Sequence, residues 1–297
     1  MREAVTTTDD TPSRETAPRP DAARPTTPLP SDAVAAAAAR VEEAYRTGVP
    51  CAPVRDLLPP GDLDAAHAVQ SLVTGRRIAA GRRVTGWRTG PASPPAPHRP
   101  GADGPASGVL LDDTAVPDGA ELPWGAVLQP RAGAGVALVL ERDLGHERHT
   151  VADVIRAVAF ALPAVDVYGS RIRGWDVTAV DTLADNASGG AYVLGTRPVL
   201  LRDLDLRTAG AVLERRGEPV STGAGVARLG HPLHAAVLLA DALVRRGTPL
   251  RAGDTVLTGP LGPLTAAAPG DVLEARIDGL GSVRAAFGPA GPEGETR

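Results

Sequence analysis

Two apolar rhythms divide this chain, and their order limits the folds open to it. Helical spacing comes first and again in the middle, short apolar strand-like runs dominate the end, and no strand–helix–strand alternation appears. That order predicts an α+β fold. Ser31 caps an alanine-rich helix that runs to about Thr47 and closes on Gly48. A second helix starts near Asp62, places Leu63, Ala66, Val69, Gln70 and Val73 on one face, and stops at Gly81. Residues 82–87 then read as a strand. Val136 to Leu140 is a short branched run, as buried strands are. Thr150 caps a helix whose Val151, Val154, Ile155, Val158 and Leu162 keep helical spacing until Pro163. Strands are expected at 164–168 and 191–194, and on both sides of Arg216-Gly217-Glu218. A helix follows over 231–246, then strands near 255–258, 272–278 and 282–287. The last two are joined by Gly279-Leu280-Gly281, a hairpin signal.

Residues 1–31 hold too few apolar groups to order themselves and predict a flexible tail. The folded unit is expected over 32–289: a helical part (32–90), a Pro- and Gly-rich mobile loop (91–108) and a β-rich core (109–289). A second tail is expected over 290–297. The chain contains no lysine, so its 31 Lys and Arg positions are all arginine. Schiff-base chemistry and a lysine general base are thereby excluded. A net charge of −4, spread along the chain, argues against a nucleic-acid surface. Cys51 is the single cysteine, which excludes disulfides within the chain and a thiolate metal cage. No apolar run approaches the roughly 20 residues of a membrane span, and residues 1–30 lack a secretory apolar core. A cytoplasmic protein is expected.

The stretch LQPRAGAGVALVL, 128–140, raises a chemical question. Gly133 and Gly135 stand two residues apart, on one face of the strand they enter. Many enzymes hold paired carboxylates at such a place; here the face has no side chains. A kinked strand entry and an emptied metal site both fit that pattern.

Four longer segments answer to a known family: LPAVDVYGSRIRGWDVTAVDTLADNASGGAYVLG (162–195), LGHPLHAAVLLA (229–240), LRAGDTVLTGPLGPL (250–264) and PGDVLEARIDGLGSV (269–283). In these the chain resembles the 2-keto-4-pentenoate hydratase and 4-oxalocrotonate decarboxylase family, within the fumarylacetoacetate hydrolase superfamily, over about residues 32–288. The resemblance implies a mixed β-roll with a small helical N-terminal part, assembled as a homo-oligomer. It implies enolisation of a small keto compound at Mg²⁺ or Mn²⁺, held by three acids, two of them from an Arg-x-Glu-x-Glu pattern. Those two positions fall on Gly133 and Gly135, after Arg131, and the third on Asp166. One short acid makes a weak site for a hard cation, so no metal is expected. The family's lysine falls on Arg88, in Trp87-Arg88-Thr89-Gly90, where a guanidinium can bind or orient but not exchange a proton.

By the same resemblance Asp113, in GVLLDDT, is an acid near the substrate, and Ser170, Arg171, Asn186 and Ser188 border the site. Arg88 or Arg171 would fork onto a carboxylate, and Asp113 would move a proton if burial raised its pKa. Each residue also has a plainer reading. Asp113 suits an ordinary turn, Asp166 a loop acceptor, Asn186 and Ser188 turn formers, His231 a helix cap, and the three tryptophans core or pocket wall. Three functions follow. The first is a metal-independent lyase or isomerase using Asp113 and Arg88; the second, a non-catalytic partner of an active paralogue; the third, an ordinary Mg²⁺-dependent hydratase built on Asp166.

Overall fold

The structure is a computed structural model and describes residues 31–90 and 106–291. The predicted tail before Ser31, most of the predicted 91–108 loop and the last residues of the 290–297 tail lie outside the described residues. Helices α1 (Asp32–Thr47) and α2 (Leu63–Ala79) come first, then β1 (Val84–Thr89), β2 (Ser107–Leu111), β3 (Ala115–Val116), β4 (Glu121–Leu122) and β5 (Pro130–Leu140). The middle holds α3 (Val151–Ala157), β6 (Val158–Gly169), α4 (Ala179–Ala184), β7 (Gly189–Leu194), β8 (Gly210–Arg215), β9 (Glu218–Ala224) and α5 (Pro232–Arg245). Strands β10 (Thr255–Pro260), β11 (Thr265–Ala266), β12 (Val272–Ile277) and β13 (Gly281–Phe287) close the fold. No helix among the described residues is long and apolar enough to cross a membrane.

One sheet runs β2-β1-β10-β5-β6-β7-β3, with β11 added against β5; the second runs β4-β13-β12-β8-β9. Pairs β1–β10, β3–β7 and β4–β13 are parallel and the rest antiparallel, which makes this the expected mixed β-roll. Val136, Leu138 and Val165 of the first sheet meet Leu213, Leu273 and Val283 of the second, and Leu239 of α5 joins the same core. A smaller core seats α1, α2 and α4 together through Val41, Val69 and Leu183.

The caps behave as local chemistry dictates. Ser31 Oγ accepts from Val34 N at 3.3 Å, and Gly48 takes a left-handed φ of 70° that closes α1. Thr150 and Asp153 form a capping box on α3. That helix does not reach Pro163, however. It ends at Ala157, and Val158–Gly169 is one long strand. Val158 and Leu162 fit helical spacing, but eleven cross-strand pairs with β5 override it. Pro163 is accommodated because β6 changes partners there. Ala161 N donates to Val199 O at 2.8 Å and Gly195 N to Pro163 O at 2.9 Å, so the missing proline N–H falls where no ladder acceptor is needed. Two boundaries also move. Strand β1 lies within the main sheet, so the helical part ends before it rather than at 90; Ser107 and Gly108 belong to β2, not to the 91–108 loop.

One buried acid that sequence reasoning passed over fastens the helical part to the rest. Asp181 accepts from Val54 N (2.9 Å), Arg55 N (3.0 Å), Thr178 N (2.9 Å), Thr178 Oγ1 (2.8 Å) and Arg55 Nη1 (2.8 Å). Burial disfavours its charge, but the Thr178 and Arg55 donors outweigh that and hold the carboxyl below its usual range. Asp181→Ala strands three backbone donors and leaves the Arg55 guanidinium with Asp176 alone, so urea denaturation should show a loss of about 3 kcal/mol or more. A loss below about 1 kcal/mol would contradict this anchoring role.

Candidate active site

Strands β1 and β6 bring two opposite charges together in the interior. Arg88 Nη1 lies 2.7 Å from Asp166 Oδ1, and each side chain is 1 % exposed. Their alignment leaves both Asp166 oxygens and Arg88 Nε without a well-formed hydrogen bond. The guanidinium also lies 3.3 Å from Val167 O and 3.4 Å from Ala191 O, and 5.5 Å from the Tyr168 ring centroid. Burial pushes the Asp166 carboxyl up, with Arg88 pulling the other way. Burial also pushes the Tyr168 hydroxyl well up, and it donates to Thr89 O at 3.2 Å.

A second guanidinium sits nearby. Arg228 donates to Thr258 O, to Thr89 Oγ1 at 2.5 Å and to Gly90 O at 3.1 Å, and no carboxylate of the described residues pairs with it. It fills the space a side chain at Gly259 would need, with Cζ 2.6 Å from an ideal Cβ there. Sequence reasoning missed Arg228. Its acceptors are mostly backbone carbonyls on distant strands, which leave no signature beside it in the chain.

Gly133 and Gly135 are not a kinked entry. They lie inside β5, paired in unbroken register with Asp166 and Ala164, and so share the face that carries Asp166. A Cβ on Gly133 would lie 2.9 Å from both Leu264 Cδ2 and Pro260 Cβ, and one on Gly135 would lie 3.1 Å from Gly259 O. The space for two carboxylate stems is therefore filled by the end of β10 and the segment that follows it. Mg²⁺ or Mn²⁺ needs several oxygen ligands, and here one buried aspartate faces a guanidinium. No cluster of three metal-ligating side chains occurs among the described residues. The residues present do not fit such a cation.

Two spaces flank this centre. A cavity of about 190 Å³ is lined by Arg88, Asp113, Arg171 and Asn186, together with Tyr45 and Arg77. Four of the candidate residues thus meet at one place, although several are committed to structural bonds. Arg171 gives Nε to Asp185 Oδ1 at 2.5 Å, Nη1 to Gly189 O at 2.6 Å and Nη2 to Asp185 O at 2.6 Å. It braces the wall and has no open fork for a ligand carboxylate, contrary to expectation. Asp113 is not sequestered either. Its side chain keeps 25 % exposure and pairs with Arg77 at 2.8 Å and Arg82 at 3.1 Å, so the expected burial is absent. Asn186 stitches β2 to the wall, accepting from Val109 N at 2.7 Å and donating to Val109 O at 3.0 Å. Ser170 Oγ bonds only the backbone of Ile172, at 3.0 Å, as a turn former does.

The second space is an open cleft of about 710 Å³ lined by Arg131, Trp175, Ser188 and the 260–264 segment. Asn186, Ala187 and Ser188 have φ of 53°, 54° and 52°, three consecutive left-handed residues with no glycine among them. Each costs about 1–2 kcal/mol against the ordinary conformation, strain of the sort that gathers at functional sites. It turns Ser188 into the cleft wall, where its Oγ is buried with no hydrogen-bond partner.

Asp185 carries a pH dependence of its own. Burial pushes its carboxyl up to about 6, against the opposing pull of Arg171. The unfolded value is about 3.9, so between about pH 4 and 6 the folded state binds more protons and this group's contribution to stability falls as pH rises. Denaturation measured at a series of pH values should show that falling component in the wild type and lose it in Asp185→Asn. Identical slopes for the two proteins would contradict it.

An α+β roll with its candidate site on the sheet face around β5 and β6 defines the class. The chain belongs to the fumarylacetoacetate (FAA) hydrolase C-terminal family, whose profile matches residues 88–287. Within it, the chain is 49 % identical over 256 residues to a 2-keto-4-pentenoate hydratase of Burkholderia vietnamiensis, covering 86 % of this chain and 98 % of that one. It is 50 % identical over 258 residues to the TodF product hydratase of Pseudomonas putida, covering 87 % and 96 %. Among solved structures it is similar to 4-oxalocrotonate decarboxylase from Pseudomonas putida G7, complexed with magnesium and adipate, at 34 % identity and a TM-score of 0.79, covering 86 % and 97 %.

Proposed function

We propose that this chain is a hydratase-like lyase for a small enolisable 2-keto acid, and that Arg88 does the electrostatic work a divalent cation would otherwise do. The buried Arg88–Asp166 pair is the observation that carries this reading. Enolising a 2-keto acid puts negative charge on the keto oxygen, and a fixed cation in a water-poor site lowers that barrier. Arg88 keeps a buried, unused Nε donor, and Gly189 packs beside it without a side chain, since a Cβ there would sit 3.1 Å from it. Asp113, the carboxylate lining the same cavity, is assigned to proton transfer by its position there, not by burial, and Arg77 and Arg82 hold it in place. Arg171 and Asn186 hold the wall. The hydratase relatives support the substrate class.

The test is water addition to 2-keto-4-pentenoate by the purified protein, followed through loss of its conjugated enol absorbance. Turnover is expected, and Asp113→Asn should lower it about 100-fold. Full activity of that variant would remove Asp113 from the chemistry. Absence of turnover on any short unsaturated 2-keto acid would overturn the lyase reading.

A further inference from the structure

We infer that Arg228 is a positioning residue: its guanidinium pins the end of β1 and so fixes the aim of Arg88, a role that rests on the lyase reading above. The strand pairing shows why a pin is needed. Parallel pairing of β1 with β10 runs Gly86 with Thr255, Trp87 with Val256 and Arg88 with Leu257, and stops there. On the other side of β10, pairing with β5 breaks between Leu257 and Pro260. The sheet therefore opens on both sides of β10 just beyond the partner of Arg88. A strand whose ladder ends at such a residue frays unless other bonds hold it.

Arg228 fills that opening. Its Nε donates to Thr258 O, and its Nη2 donates to Thr89 Oγ1 at 2.5 Å and to Gly90 O at 3.1 Å. Thr89 Oγ1 in turn donates to Thr258 O at 2.7 Å, and Thr258 Oγ1 to Val136 O at 3.0 Å, so β1, β10 and β5 are tied across the break. The carbonyl of Thr89 accepts from the Tyr168 hydroxyl, whose ring faces the Arg88 guanidinium. Gly259, at a φ of 95°, carries no side chain where the Arg228 guanidinium lies. The Arg228 backbone is itself fixed, its N donating to Gly225 O at 3.0 Å and its O accepting from His231 N at 2.9 Å, just before α5.

Packing alone does not call for this residue. A buried guanidinium without a carboxylate is costly to desolvate, and burial pulls its pKa down. An apolar chain of like volume would fill the space without that penalty, but it could not donate three bonds in fixed directions as the planar fork does. Two of the three reach the residues that directly follow Arg88. A cation that stabilises a developing oxyanion works only when its position is fixed beforehand.

Arg228→Met keeps most of the volume and removes the donors. With 2-keto-4-pentenoate its kcat should fall about 10- to 100-fold while KM stays within about twofold, because Arg228 does not line the cavity that holds Arg88 and Asp113. Amide hydrogen exchange read by mass spectrometry should quicken about tenfold or more in β1 and stay within about twofold in the β12–β13 hairpin. Arg228→Lys restores the charge and part of the bonding, and should recover both readouts in part. Thr89→Val, near-isosteric and with Arg228 intact, should show the same kcat loss in smaller measure, and it carries the test if Arg228→Met does not fold. Wild-type kcat in these variants, or exchange that quickens equally in β1 and the hairpin, would overturn the proposal and make Arg228 a general support of the fold. Loosening confined to β1, in a protein whose wild type turns over no short unsaturated 2-keto acid, would uphold the pin and defeat the lyase reading instead.

Discussion

Arg88→Ala should lower turnover by about 100- to 1,000-fold and destabilise the fold by about 3–5 kcal/mol. Both losses have one origin. Arg88 is the ion-pair partner of Asp166, whose carboxyl is 1 % exposed, and removing it leaves a buried, uncompensated charge. A single variant would confuse the two effects, so the paired variant Arg88→Met with Asp166→Leu separates them. Replacing a buried ion pair by apolar groups of similar volume is often neutral for stability. The double variant should therefore regain most of the thermal stability lost in Arg88→Ala while staying inactive. Recovery of activity along with stability would show that the guanidinium serves the fold and not the reaction. Arg88→Lys should fall between, since an ammonium restores charge without the planar fork that reaches two carbonyls and a carboxylate.

Restoring the two acids should fail. Gly133→Glu with Gly135→Glu should destabilise the protein by several kcal/mol and should not create a Mg²⁺ or Mn²⁺ site. Pro260 Cβ stands 2.9 Å from an ideal Cβ on Gly133, and that ring cannot swing away as the Leu264 methyl can. The new carboxylates would also lie on the face of Asp166, where repulsion adds to the steric cost. Calorimetric titration with Mn²⁺ and melting curves with and without it are the readout. Stoichiometric Mn²⁺ binding with recovered stability would mean that the site had merely been emptied; no binding and a low melting temperature would mean that it has been rebuilt around the 259–264 segment.

What the sequence disclosed and what it withheld divide along a physical line. The α1 and α3 caps, the closing hairpin and the α+β class depend on residues close together in the chain, and they are legible there. Asp166 and the two glycines could be placed on one strand face or at a strand end because segment patterns carry them. The α3-to-β6 change was hidden, because Val158 and Leu162 satisfy a helical period and only pairing with β5 makes them strand. Asp181 has distant partners in Val54 and Arg55, but its capping box with Thr178 was a local signal left unread; Arg228 was missed because its acceptors lie far away in sequence and are largely backbone atoms, which have no residue identity to read. Arg171 looked like a ligand clamp for the same reason: its fork is taken by Asp185 and by the Gly189 carbonyl. The left-handed run at 186–188 has no glycine to announce it.

The most direct measurement is turnover of the keto acid by protein stripped with EDTA, with bound metal quantified by mass spectrometry on the same sample. If Arg88 carries the charge on the keto oxygen, activity persists at full rate with far less than one Mg²⁺ or Mn²⁺ per chain, and adding either ion changes nothing. Activity that vanishes on stripping and returns in proportion to one added Mg²⁺ or Mn²⁺ per chain would contradict the account at its centre.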